Sequence, residues 1–102
     1  MKECCSKYML AQFGGDQDVV NEIYAEYKSS AKDKIADANA ALESGDWVRL
    51  DRIAHTIKGN ALAAGDDEMA ECALTLRKSA ALSDKEGSAA LITRLSELWN
   101  LL

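Results

Sequence analysis

The 102-residue sequence predicts an all-α fold: an antiparallel up-and-down four-helix bundle with a short extra helix at its N-terminus. Three observations carry that expectation. Proline is absent, so no position is barred from a helix interior by a missing N–H. Apolar residues recur at spacings of three and four in four successive stretches, the period of a helix with one buried face. Clusters of Gly, Asp and Ser separate the stretches, and helices joined by two- to five-residue turns pack as antiparallel neighbours.

The first element is a short N-terminal helix, ended by Phe13, Gly14, Gly15 and Asp16. Asp16 is placed to cap the long helix that follows, its carboxylate accepting from the free amides of the first turn. Val20, Ile23, Tyr24, Tyr27, Ala31, Ile35, Ala38 and Leu42 form the apolar stripe of that helix. Ser44, Gly45 and Asp46 break it, with Gly45 as C-terminal cap and Asp46 as the next N-cap. The second bundle helix runs from Trp47 to about Ala64 and stops at Gly65. Asp66 or Asp67 caps the third, whose stripe is Met69, Cys72, Ala73, Leu76 and Ala80. The fourth begins near Ser83, where Ser83 and Glu86 have capping-box spacing, and carries Leu91, Ile92, Leu95, Leu98, Trp99 and Leu102. Tyr24, Tyr27, Trp47 and Trp99 fall on these stripes and are assigned to the core, with Cys72 as an inert buried thiol. Asp66, Asp67 and Glu68 are assigned to a helix N-terminus, where negative charge is favoured.

Composition narrows the function classes. With 48% hydrophobic residues the chain can build one modest core, so residues 1–102 are expected to form one domain. The net charge of -5, from 17 acidic and 12 basic residues interspersed, offers no basic footprint for nucleic acid or an anionic membrane. No apolar run approaches the roughly 20 residues that span a bilayer, and MKECCSKYML lacks the apolar centre of a secretory leader. A cytoplasmic protein without membrane insertion is therefore expected. Three cysteines, an odd number, fit a reducing compartment better than a disulfide scaffold. Cys4 and Cys5 are read as surface thiols. One histidine and no second cysteine pair leave a zinc site short of ligands, so no metal is expected on this chain.

The chemistry-bearing stretch is AHTIKGNALAAG, Ala54 to Gly65, which holds the only histidine. At about 100° per residue, Trp47, Leu50, Ala54, Ile57, Ala61 and Ala64 gather into an arc of about 100° that forms the core seam. His55 falls roughly 130° from the middle of that arc and points outward. Lys58, Gly59 and Leu62 share its face at i+3, i+4 and i+7, and Val48 lies two turns before it. Glycine inside a helix costs about 1 kcal/mol relative to alanine. On an exposed face Gly59 relieves no core crowding, so its missing side chain instead clears an approach to the imidazole. Lys58 places an ammonium beside that opening, able to neutralise charge on a phosphoryl oxygen. Val48 and Leu62 add apolar contacts of the kind a partner would cover. The combination points to a nucleophile serving another protein.

His55 through Gly65, HTIKGNALAAG, resembles the H-x-x-K-G-x(5)-G signature of histidine-containing phosphotransfer (HPt) domains. QFGGD at Gln12 to Asp16 and ALESGDWVRLDRIAH at Ala41 to His55 are similar to the family's sequences upstream of that signature, and the likeness runs from about Leu10 to Leu82. The resemblance implies a phosphorelay carrier with no kinase apparatus of its own, acting as a monomer. His55 would take a phosphoryl group from the aspartate of a response-regulator receiver domain and pass it to another receiver, within a system driven by a sensor or hybrid histidine kinase. Nε2 of neutral His55 would attack in line, Lys58 would steady the transferring group, and Gly59 would let the receiver's loops close. Mg²⁺ would come from the receiver, with no cofactor bound by this chain. Val48, Arg52 and Leu62 are assigned to receiver docking. No glycine-rich phosphate loop is present that could hold ATP.

The sequence departs from the family pattern at one position. Many members carry a glutamate or glutamine 22 residues after the histidine, accepting a hydrogen bond from Nδ1 of the imidazole. Here that position is Arg77. Arginine has only donors, so Arg77 is expected either to contact the phosphoryl oxygens of phospho-His55 or docked receiver, or to point away as a surface cation. Two other functions stay open: a helical adaptor that has kept the fold without the chemistry, and the phospho-accepting N-terminal domain of a chemotaxis-type histidine kinase.

Overall fold

The computed structural model describes residues 2–102, and no strand occurs among them. Five helices follow in order: α1 (Glu3–Gln12), α2 (Gln17–Ser44), α3 (Trp47–Ala63), α4 (Asp67–Ala81) and α5 (Lys85–Asn100). At 1.5 Å per residue α2 is about 42 Å long, which accounts for the 43 Å long axis of the molecule. α2 packs on α3 and α5, and α4 packs on the same two, so four helices close a ring around a shared core. α1 lies against α2, and α3 with α4 makes the most extensive interface.

Each of these four helices starts behind an aspartate. Asp16 accepts from the amides of Asp18 and Val19, Asp46 from Arg49, Asp66 from Met69 and Asp84 from Gly87. Three of these caps are the ones the sequence predicts; the fourth is a correction. Ser83 does not cap α5. It adopts a left-handed conformation at φ 52° and turns the chain out of α4, a state that favours glycine but that this connection imposes on serine. The capping role therefore moves one residue on, to Asp84. Gly45 ends α2 in the left-handed conformation as expected.

Leu50, Ile57, Met69, Leu76, Ile92, Leu95 and Leu98 form the inaccessible centre of the core. Tyr24, Tyr27 and Cys72 are buried with them, whereas Trp47 and Trp99 are half-buried at its margin. Trp99 stays at the edge because its indole N–H needs an acceptor, which it finds 2.8 Å away in the carbonyl of Lys28. The ammonium groups of Lys28 and Lys32 approach its ring at 5.3 and 5.5 Å from the centroid.

The α3–α4 connection carries a buried polar anchor. Asp66 is fully buried, and a carboxylate in that environment requires partners. One oxygen accepts from Lys2 Nζ at 3.0 Å and from the Met69 amide, the other from the Tyr27 hydroxyl at 2.8 Å. One side chain thus joins α2, α4 and the start of α1. Burial pushes the Tyr27 phenol up, reinforced by the negative charge of Asp66. Burial alone would lower the Lys2 ammonium, but the Asp66 hydrogen bond and charge outweigh it and raise it.

Cys5 corrects a second expectation. It is fully buried, as is Met9 one turn on, because α1 has a single inward face and these two residues occupy it; Cys4 remains exposed. The thiols of Cys4 and Cys5 come within 4.8 Å of an Asp66 oxygen, a proximity that their separation in sequence conceals. Asp66 is already engaged by Lys2 and Tyr27, and burial together with the Asp66 charge pushes the Cys5 thiol up to about 12, so it stays protonated.

Gly65 holds two constraints at once. Its φ of +73° favours glycine, and a Cβ there would run into the Cβ and Cγ of Tyr8 on α1. Gly65→Ala should destabilise the fold by about 2 kcal/mol or more, read as a lowered midpoint in chemical denaturation. Alkali should act on the same corner. Above pH 9.0 the unfolded chain loses the Cys5 proton that the folded chain keeps, so stability falls as pH rises from 9.0 towards about 12. Thermal melts across that interval should show this decline, and Cys5→Ala should flatten its first part.

Candidate functional site

The site is built on the outer face of α3. Asp46 fixes the start of the helix and the seam Leu50, Ala54, Ile57 and Ala61 is buried, which leaves His55 on the exposed side. Arg52 and Gly59 are exposed with it, Lys58 is half-buried, and Val48 and Leu62 remain 65% and 49% accessible. Apart from Lys58, Asn60 and the backbone of its own helix, nothing lies within 4 Å of where a Gly59 Cβ would stand, so the space beside the imidazole is open. Lys58 forms no ion pair or side-chain hydrogen bond among the described residues, leaving its three donors free.

α4 brings Arg77 to this face. Arg77 does not point away: its Nη1 lies 3.0 Å from Nδ1 of His55, and its Nε donates to Asp51 Oδ1 at 3.0 Å. Arg77 thus meets the ring nitrogen itself. Asp51 was not among the residues singled out from the sequence. The signal for it was one of spacing: Asp51 stands one helical turn before His55, on the face α4 covers. Both partners of this ion pair are partly exposed, at 33% and 42% for the side chains, so it contributes about 1 kcal/mol or less to stability. Its weight lies in orientation, since the planar guanidinium fork is held by the carboxylate on one edge and presents the other to the imidazole. His55 Nε2 has no protein partner among the described residues.

Beside the histidine, an open groove of about 600 Å³ runs between α3 and α4, lined by Trp47, Val48, Asp51, Leu74, Arg77 and Lys78 among others. Trp47, expected in the core, is half-buried here because it begins α3 at the rim of the interface. The geometry thus offers an accessible imidazole with one nitrogen tethered and one free, an unpaired cation one turn away, a cleared approach and an adjoining apolar groove.

Comparison with known families gives this outward histidine on a helical ring its class. The Hpt domain family matches residues 22–102, and the chain belongs to that family. The matched region begins in α2 and takes in α5, extending further towards the C-terminus than the motif likeness and leaving α1 outside it. Hpt domains carry out histidine phosphotransfer in phosphorelay signalling. No curated protein and no solved structure gives a significant match. No helix among the described residues is long and apolar enough to cross a membrane.

Gly59 pays a helix-propensity cost without a packing return. Gly59→Ala should raise stability by about 0.5–1 kcal/mol, measured as a thermal midpoint a few degrees higher.

Proposed function

We propose that this domain is a phosphoryl carrier that takes its phosphoryl group from a receiver-domain aspartate onto His55 and delivers it to a second receiver. The observation that carries this reading is the free Nε2 edge of an exposed imidazole beside a space that no side chain fills. In-line attack forms the Nε2–P bond as the aspartyl O–P bond breaks, and the carboxylate leaves with the bonding electrons. Lys58 stabilises the phosphoryl oxygens as charge shifts across them. Gly59 lets the receiver's loops reach the reacting atoms. Mg²⁺ belongs to the receiver's acidic pocket, and the carrier itself supplies neither kinase nor nucleotide chemistry.

Val48 and Leu62, with Arg52 between them on the same side of α3, form the docking rim, and the α3–α4 groove extends it. The scaffold is read as one up-and-down antiparallel unit, since the connections from α2 onward are two or three residues long. The same reading makes the protein a cytoplasmic monomer in service of a sensor or hybrid histidine kinase.

Incubation with a phosphorylated receiver should place an acid-labile, base-stable label on the protein, and His55→Gln should abolish it while leaving the melt unchanged. A chain that takes no label from any receiver or kinase domain would be a helical adaptor instead. Label arriving only from an ATP-bound kinase domain would identify the chemotaxis-type alternative. Gly59→Leu should fold normally yet slow transfer at least tenfold, because it fills the approach without touching the nucleophile.

A further inference from the structure

We propose that Arg77 holds His55 in the tautomer that cannot attack, and so acts as a kinetic brake on both loading and unloading of the phosphoryl group. The proposal rests on the phosphotransfer reading of His55 and deepens it. A guanidinium has five donors and no acceptor. At 3.0 Å from Arg77 Nη1, Nδ1 of His55 can only be the acceptor, which places the proton of the neutral ring on Nε2. Nε2 is the edge open to a partner, so the exposed nitrogen carries a hydrogen where a nucleophile needs a lone pair. The Asp51–Arg77 pair keeps the fork aimed this way, with Nε tied to Oδ1 at 3.0 Å.

The atom balance shows where the brake acts. His55 bearing Nε2–H and an aspartyl phosphate become Nε2-phospho-His55 and a free carboxylate, and the Nε2 proton is released to water. In the phosphorylated ring Nδ1 again has a lone pair and again accepts from Arg77. The resting and loaded states are thus both compatible with the contact. The transition state between them is less so: positive charge develops on the imidazole as Nε2 bonds to phosphorus, and a proton on Nδ1 would delocalise it. Arg77 excludes that proton and adds a like charge 3.0 Å away. One transition state serves both directions, so uptake and release slow together. Arg77 is here a positioning residue, acting through the ring nitrogen.

The single histidine makes the test direct, because one ring gives every imidazole nitrogen signal. In ¹⁵N-labelled protein the neutral ring should show a pyridine-like Nδ1 and a pyrrole-like Nε2. Arg77→Gln, whose carbonyl can accept from Nδ1–H, should shift the tautomer ratio towards Nδ1–H by about fivefold, the size of one charge-assisted hydrogen bond at a partly exposed site. Asp51→Asn, which frees the fork without replacing it, should move the ratio the same way by less. Phosphoramidate, a donor that needs no partner protein, should label His55 about fivefold faster in Arg77→Gln, and the label should leave faster by a similar factor. An unchanged tautomer ratio in Arg77→Gln, or slower labelling with faster loss, overturns the brake. If the ratio shifts but phosphoramidate and phosphorylated receivers label neither protein, the lock stands and the phosphotransfer reading fails. If label forms equally in both proteins, the carrier stands and the brake is lost.

Discussion

Burying a carboxylate without partners costs several kcal/mol, and this structure resolves that cost at Asp66 by drawing three separate segments to one corner. The α3–α4 connection contributes the carboxylate itself, α2 a phenol, α4 its first-turn amide and the chain before α1 an ammonium. Removing any of these donors leaves the others around an under-satisfied charge, so the corner behaves as one unit and not as a sum of contacts. Gly65 completes it by letting Tyr8 pass where any other residue would block it. The short α1, whose apolar face amounts to little more than Cys5 and Met9, is held chiefly by this node.

The corner also governs the site. With the connection fixed, α3 and α4 meet along a defined register, and Arg77 arrives beside His55, where Asp51 of α3 orients it. The other groups around the histidine come from its own helix. The division of labour is physical. α3 supplies an exposed imidazole and a free cation, α4 supplies the guanidinium that meets Nδ1 of that ring, and the groove between them is open and largely apolar.

Much of this was legible in the sequence because helical periodicity and capping are local. The apolar stripes, the caps at Asp16, Asp46 and Asp66, and the outward turn of His55 all follow from spacings within about three turns. What local reasoning missed depended on contacts between distant segments. Cys5 looked like a surface thiol because its burial comes from the docking of α1, which no spacing announces. Asp66 was readable as a cap but not as a buried charge, since Lys2 and Tyr27 lie far off in the chain. Ser83 lost the capping role to Asp84 because the exit from α4 required a left-handed residue there. For Arg77 the position was readable and the target was not. A donor-only residue where an acceptor belongs has a meaning only once the ring nitrogen it meets is known.

His55 and Arg77 stand eleven residues on either side of Asp66, about two turns of α3 and nearly three of α4 away from the connection. The hairpin therefore works as a ruler folded at its midpoint, and what it measures is chain length. Substitutions at the exposed positions of either arm leave the two marks opposite one another. A single inserted or deleted residue would slide one mark by about 1.5 Å and swing it by about 100°, taking the guanidinium to a different face of α4. A chain that uses this arrangement can thus vary at the exposed positions between the two, but Gly65, Asp66 and the number of residues are fixed by the geometry of the turn and the helix.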